Sequence, residues 1–193
     1  MIFGSAIETL ILKNASFSVT ARSGRIATGD RNMIGKKMED LINTQINAEM
    51  YSAYLYLSMS SWCSQNTWNG FAHWLRLQAQ EELTHAMKFY DYLNERGGTA
   101  TLAPIDAPKA GWKDVLELFK EVYAHEQKVT GMINAMMTEA IKQKDYAAEI
   151  MLQWFISEQV EEEANASEIV AKLEKIGPST GGLFQIDHQL QKR

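Results

Sequence analysis

The sequence has little of what interrupts or cross-links long helices. Its 193 residues include three prolines and a single cysteine, Cys63. One cysteine excludes a disulfide within the chain and suits a reducing compartment. No apolar run reaches about 18 residues, the length that a membrane-spanning helix needs. The net charge of −5 gives no support for nucleic-acid binding. What is left is a chain long enough for one domain with a substantial core.

The first 32 residues lack the periodicity of the rest of the chain. No positively charged region precedes an apolar stretch there, so a secretory signal is not predicted. We expect residues 1–32 to be a poorly ordered extension ahead of a natural start at Met33, and residues 33–193 to form one domain. An organellar presequence is the alternative, because basic residues outnumber acidic ones. The residues concerned are Lys13, Arg22, Arg25 and Arg31 against Glu8 and Asp30.

Hydrophobic periodicity predicts four long helices, at about residues 36–65, 68–96, 112–142 and 145–175. Gly97 and Gly98 follow the second helix as a strong helix-end signal. The next connection, to residue 111, is too long for a hairpin turn, so we expect it to cross the length of the bundle. Two antiparallel pairs joined by one crossover describe the ferritin-like four-helix bundle. A short apolar segment, 183–190, follows the fourth helix.

Each predicted helix carries polar side chains in the middle of its apolar stripe. Glu82 and His85, three residues apart, share one face of the second helix. Burying one unpaired carboxylate costs several kcal/mol, and clustering several raises the cost through mutual repulsion. Protonation would reduce that charge, but a bound metal cation would offset it more fully. The inward polar residues are Glu49, Glu82, His85, Glu126, Gln159 and Glu162.

A simpler explanation exists for each of these residues taken alone. A lone glutamate in a stripe usually reaches water, and a lone histidine is usually hydrogen-bonded within a core. Six polar positions at one level of four helices favour a metal centre instead. Dimetal bundles use single glutamates from two helices and a Glu-x-x-His pair from each of the other two. This chain has one such pair, Glu82 and His85. At the same spacing on the fourth helix it has Gln159 and Glu162, which match the pair less well. The acids that flank these positions either form a solvent-exposed helix face or belong to an accessory cation site. They are Glu81, Glu158, Glu161 and Glu163.

From about Lys36 onward, the chain resembles the non-haem ferritins of the bacterial and archaeal type. The motifs that carry the resemblance are NAEMYSAYLY at 47–56, AQEELTHAMKFYDYL at 79–93, YAHEQ at 123–127 and LQWFISEQVEEE at 152–163. The resemblance implies an all-α, ferritin-like four-helix bundle with one long crossover and a short fifth C-terminal helix. It also implies a hollow 24-subunit homo-oligomeric cage in the cytoplasm.

The resemblance further implies an iron-storage protein with ferroxidase activity, using dioxygen or hydrogen peroxide to oxidise iron(II) before storing it as a ferric oxide mineral. Glu82 would bridge two irons, the first held also by Glu49 and His85. Glu126 would hold the second iron, with Gln159 and Glu162 beside it and Tyr56 next to the centre. The third iron site implied by the family would use Glu81, Glu158 and Glu161, and would share Glu162.

Several departures separate the chain from related families. Bacterioferritins carry a second Glu-x-x-His where this chain has Gln159 and Glu162, and their haem-binding methionine corresponds here to Leu83. We therefore expect no haem. Rubrerythrins usually add a cysteine-rich iron domain, which one cysteine cannot build, and small DNA-protecting relatives place their metal between subunits. Two alternatives of other classes remain: a di-iron oxidase acting on an organic substrate, and a structural bundle that binds no metal.

Overall fold

The computed structural model describes residues 33–192, and within that range it consists of five α-helices without a β-strand. The all-α bundle with one crossover and a short C-terminal helix is thereby confirmed. The predicted extension at residues 1–32 lies outside the described residues. The helices are α1 (Lys36–Gln65), α2 (Asn69–Glu95), α3 (Val115–Gln143), α4 (Tyr146–Ile176) and α5 (Thr180–Leu190). None of these helices is apolar enough over a sufficient length to cross a membrane.

The helix ends follow local capping chemistry. Gly97 takes a left-handed φ of 73° just after α2, as the paired glycines predicted. Helix α3 begins three residues later than predicted, because the Asp114 carboxylate accepts the Glu117 N–H at 2.8 Å and fixes the first turn there. Helix α5 begins three residues earlier than the predicted apolar segment, because Ser179 caps it by accepting the N–H of Gly182.

The connection between α2 and α3 runs along α1, as its length predicted. The Asn43 side chain accepts the N–H of Thr101 at 2.7 Å, and the Ser58 hydroxyl donates to the carbonyl of Lys109 at 2.7 Å. These contacts lie fifteen positions apart on α1, about 22 Å at 1.5 Å per residue. The crossover therefore returns the chain to the other end of the bundle, and α3 and α4 form a second antiparallel hairpin beside α1 and α2.

Helix α5 closes one end of the bundle. Its Asp187 carboxylate accepts the N–H groups of Gly70 and Phe71 at 2.8 and 3.0 Å. Those groups are unpaired donors in the first turn of α2, so Asp187 acts as a cap supplied from a distant part of the chain. Gly70 permits the approach, since a Cβ there would lie 1.6 Å from the carbonyl oxygen of Asp187.

The core consists of two apolar clusters with polar side chains between them. One cluster includes Phe71 and Phe119; the other includes Phe89 and Phe155, whose rings stack with centroids 3.8 Å apart. The buried side chains between the clusters are called the polar layer below. The polar layer comprises Gln45, Glu49, Gln78, Glu82, His85, Glu126, Gln159 and Glu162.

Candidate metal centre

The six inward polar residues predicted from the sequence are all buried. None exposes more than 4% of its surface. Each stands on the face of its helix that also carries the core residues of that helix, because positions three and four apart lie above one another. The four helices of the bundle thus direct four glutamates, one histidine and one glutamine into the polar layer.

Glu49, Glu82 and His85 form the α1–α2 half of the centre. One ligand atom from each lies within 4.8 Å of the other two, and Nδ1 of His85 is 3.3 Å from Oε2 of Glu82. The amide of Gln45 donates to Oε1 of Glu49 at 2.8 Å. Oε2 of Glu49 is buried and has no hydrogen-bond partner among residues 33–192. A buried carboxylate oxygen without a donor is an acceptor suited to a cation.

Glu126, Gln159 and Glu162 form the α3–α4 half. The hydroxyl of Tyr56 donates to Oε1 of Glu126, so this tyrosine lies beside the predicted ligand. The Gln159 amide nitrogen lies 3.3 Å from Oε2 of Glu126. The amide of Gln78, on α2, donates to Oε2 of Glu162 at 2.7 Å. The two halves are therefore connected by hydrogen bonds from α1 and α2 to the acids of α3 and α4.

The electrostatics of the polar layer favour a bound cation. Burial, followed by the charge of Glu82, raises the pKa of Glu49 well above its usual range. Burial and the charge of Glu126 do the same to the pKa of Glu82. Burial raises the pKa of Glu162 to about 7, with Glu126 and Glu81 adding to the shift. Without a cation these carboxyls resist ionisation, and a divalent ion would relieve both the burial and the repulsion.

The flanking acids are brought together only in part. Glu81 and Glu158 each place a ligand atom within 4.8 Å of one on His85, so His85 is common to both metal-capable groups. Glu161 is exposed and belongs to neither group. Glu162, which the predicted third site would share, is buried in the polar layer. The composition of an accessory site thus stays a prediction.

Sequence reasoning did not assign a role to Gln45 and Gln78. Both are essentially fully buried, and each donates to a carboxylate of the centre. For Gln45 the available signal was its spacing, because it stands four residues before its partner Glu49 on the same face. The partner of Gln78 lies on another helix, so spacing gave no signal for it. An amide at that spacing can hold one carboxylate oxygen and leave the other for a cation.

His125 supports the centre from outside the polar layer. Its Nε2 lies 2.8 Å from the hydroxyl of Ser52, and its ring meets that of Tyr56 edge-on at 5.9 Å. Burial lowers the pKa of His125 to about 4, so the ring is neutral near pH 7. A neutral, hydrogen-bonded imidazole packs against Tyr56 without adding charge beside Glu126.

The donor set fits iron. Carboxylate oxygens with one imidazole nitrogen bind iron(II), and the harder iron(III) gains more from the carboxylates. The unpartnered oxygen of Glu49 and the raised carboxyl pKa values are what a metal-free site of this kind should show.

Comparisons with known proteins agree with this chemistry. A family model described as a ferritin-like domain matches residues 39–176. A bacterial non-heme ferritin of Bacteroides fragilis (strain YCH46) is 44% identical over 161 residues, which cover 83% of this chain and 100% of that protein. One of Escherichia coli O157:H7 is 41% identical over 158 residues, or 82% of this chain and 96% of that protein.

Among solved structures, the chain is similar to an open pore ferritin from the hyperthermophilic archaeon Archaeoglobus fulgidus. The identity is 46%, the TM-score is 0.82, and the match covers 83% of this chain and 99% of that one.

Proposed function

The chain belongs to the ferritin family, and on that premise we propose that it stores iron after oxidising iron(II) to iron(III) at a dimetal ferroxidase centre in the polar layer. The observation that carries the proposal is the convergence of Glu49, Glu82 and His85, with ligand atoms within 4.8 Å. Glu126, carried by the other hairpin, adds its charge to that of Glu82.

In the proposed reaction, iron(II) is the substrate. Glu49 and His85 hold the first ion, Glu126 and Glu162 hold the second, and Glu82 bridges them. Each ion gives up one electron, and one dioxygen takes two electrons and two protons to leave as hydrogen peroxide. Two ions side by side therefore avoid a one-electron product of dioxygen. Hydrogen peroxide is the alternative oxidant.

The protein residues supply positions and protons rather than electrons. Gln45 and Gln78 fix one oxygen of Glu49 and of Glu162, so the other oxygens stay directed to the ions. The carboxyls whose pKa is raised by burial release protons when the cations bind. The hydroxyl of Tyr56 holds Glu126, and its protonated state is favoured because burial and Glu126 raise its pKa.

We propose that the oxidised iron moves into a hollow 24-subunit cage and is stored there as a hydrated ferric oxide mineral. The similarity to ferritins supports this, since the match covers 99% of the open pore ferritin chain and 100% of the Bacteroides ferritin. A particle of several hundred kilodaltons in size-exclusion chromatography is the expected result. A monomer or dimer would contradict storage.

The test is an aerobic stopped-flow experiment that mixes two iron(II) per chain with metal-free protein. We expect a rapid rise in ferric absorbance, lost in Glu82→Ala and Glu126→Ala. Glu168→Ala is the matched control, because Glu168 is an exposed glutamate of α4 outside the polar layer. A wild-type rate equal to that of buffer would remove the ferroxidase proposal. Normal oxidation by Glu126→Ala would show that the second ion lies elsewhere.

A further inference from the structure

A cavity of about 310 Å³ lies between α3 and α4 and ends at a residue of the centre. Gln159 forms part of its lining, together with the oxygen-bearing side chains of Thr130, Asn134 and Glu163. The rest of the lining is aliphatic, from two isoleucines and a valine. Asn134 is exposed and Gln159 is buried, so the cavity leads from the surface of the hairpin to the polar layer.

Gln159 is held weakly at the inner end of this cavity. Its amide nitrogen has three acceptors, the carbonyl and Oε2 of Glu126 and the hydroxyl of Thr130, all at 3.3 Å. Two N–H groups serve these three acceptors, and each distance exceeds the usual 2.9–3.0 Å. The amides of Gln45 and Gln78 bind at 2.8 and 2.7 Å. Gln159 can therefore turn aside with a smaller loss of hydrogen bonding than either.

Glu163 brings a carboxylate to the same cavity. Its Oε1 accepts the hydroxyl of Thr130 at 2.6 Å, which leaves Oε2 available to a cation. Thr130 also contacts Gln159, so Glu163, Thr130 and Gln159 form a continuous row of oxygen and amide groups that ends at Glu126. Aliphatic walls around such a row make the carboxylate the strongest cation ligand at that end of the cavity.

We propose that this cavity is the passage by which divalent cations reach the α3–α4 half of the centre. Glu163 binds the cation transiently at the outer end, and Gln159 turns aside to let it pass to Glu126. The passage rests on the proposed function, since it supplies the centre described above. It assigns Glu163, which has no place in the centre itself, to the delivery of the metal.

The chemistry of the cavity selects a cation over the other possible occupants. Dioxygen is uncharged and would gain nothing from the carboxylate of Glu163. An organic substrate would occupy a space at the lower limit of ligand pockets, which begin near 300 Å³. A hydrated divalent ion is small and charged, and it can exchange waters for the oxygens that line the cavity, those of Asn134, Glu163 and Thr130.

The experiment measures cobalt(II) loading of metal-free protein by anaerobic stopped-flow absorbance, which requires no oxidation. With cobalt(II) limiting, Glu163→Gln should load about tenfold more slowly than wild type, at the lower end of electrostatic steering effects. The number of cobalt(II) ions bound at equilibrium should not change. Glu163→Asp should recover much of the rate, and raising the ionic strength should shrink the difference.

Glu168→Gln is the control for a general loss of surface charge on α4. The passage is overturned if Glu163→Gln loads as fast as wild type, or if Glu168→Gln slows loading equally. It is also overturned if Glu163→Gln binds fewer ions at equilibrium, because Glu163 would then be a permanent ligand. An absence of cobalt(II) binding in the wild type would instead remove the metal centre, so the two failures are distinguishable.

Discussion

The two helical hairpins contribute unequal halves to one centre. In the α1–α2 half, the ligand atoms of Glu49, Glu82 and His85 lie within 4.8 Å, and Gln45 fixes Glu49 at 2.8 Å. In the α3–α4 half, Gln159 takes the place of an acid and reaches Glu126 only at 3.3 Å. A cavity ends at Gln159. The α1–α2 ligand atoms lie close together, whereas the α3–α4 half has one loosely held ligand, Gln159, beside a cavity. The two acids of that half are themselves hydrogen-bonded, by Tyr56 and Gln78.

The difference has a physical cause in charge. Four carboxylates already share the polar layer, and a fifth in place of Gln159 would raise their repulsion further. A neutral amide limits that repulsion and can still coordinate through oxygen. Its bonds are weaker than those of a carboxylate, so we expect the α3–α4 half to bind a metal ion less firmly. In the proposed ferroxidase reaction the product must leave, and we expect weaker binding on one side to serve that requirement.

The largest expected effect comes from removing one carboxylate from each half. Glu49→Ala should weaken cobalt(II) binding at the tighter of two positions by more than about a hundredfold, above the 10–100-fold typical of residues that support metal ligands. Glu162→Ala should weaken binding only about tenfold, at the looser position. Anaerobic titration calorimetry measures both. Equal losses of cobalt(II) affinity in the two variants would show that the two halves do not differ in how tightly they bind the metal.

The next effect concerns the pH dependence of stability without metal. Because the pKa of Glu162 is raised to about 7 from an ordinary 4.5, the folded state binds more protons than the unfolded chain between these values. The free energy of unfolding should therefore fall as pH rises from 4.5 to about 7, and the contribution of Glu162 should level off above that. Glu162 alone contributes about 3 kcal/mol to the decline, at 1.36 kcal/mol per pKa unit.

Denaturant unfolding of metal-free protein at intervals from pH 5 to pH 8 checks this, with Glu162→Gln as the comparison. The variant should show a shallower decline, since an amide does not titrate. With saturating zinc(II), the decline should disappear, because the ion keeps the carboxylate ionised. The free energy of unfolding could instead rise with pH, and by the same amount in metal-free wild type and in the variant. That result would contradict the raised pKa of Glu162.

Much of this arrangement could be predicted from the sequence. The polar layer follows from polar breaks near the middle of stripes of period 3.6, such as Glu126 between Val122 and Val129. The crossover follows from the length of its loop. The stripe pattern and the loop length are both read from short stretches of sequence. The stripe pattern is reliable because a long helix repeats it many times, so one ambiguous position matters little.

The remaining features depend on groups that meet only in three dimensions. Gln78 donates to Glu162, 84 positions away, and no spacing within α2 indicates that partner. The sequence predicts that α3 starts at about Trp112, but the Asp114 cap fixes the start later. The cavity beside Gln159 arises from the packing of α3 against α4, which periodicity does not describe.

A smaller effect should follow from changing the amide that positions Glu49. Gln45→Leu keeps similar bulk but removes the 2.8 Å hydrogen bond to Oε1 of Glu49. We expect cobalt(II) affinity at the tight position to fall about tenfold, in the range for residues that orient metal ligands. Gln153→Leu, at an exposed position of α4, is the control. An unchanged affinity would show that packing alone positions Glu49.

The smallest expected effect tests whether Gln159 keeps the α3–α4 half open. Gln159→Glu exchanges an amide held by three 3.3 Å contacts for a carboxylate beside Glu126. At pH 8 the added charge should tighten cobalt(II) binding at the looser position roughly threefold, the gain being offset by repulsion in the metal-free state. At pH 6 the new carboxyl, buried among acids, should be protonated, and the affinity should match that of wild type.

A change in the rate of product release would show that Gln159 keeps the α3–α4 half exchangeable. A variant that only gained affinity for the metal would not show this change. If the amide keeps the α3–α4 half exchangeable, Gln159→Glu should oxidise the first two iron(II) per chain at a normal rate but slow every later addition. Repeated additions of two iron(II) per chain, followed by ferric absorbance, measure the difference. Later additions as fast as the first would mean that the exchange of iron does not depend on Gln159. The cavity, and not the weakly bonded amide of Gln159, would then explain why iron exchanges at the α3–α4 half.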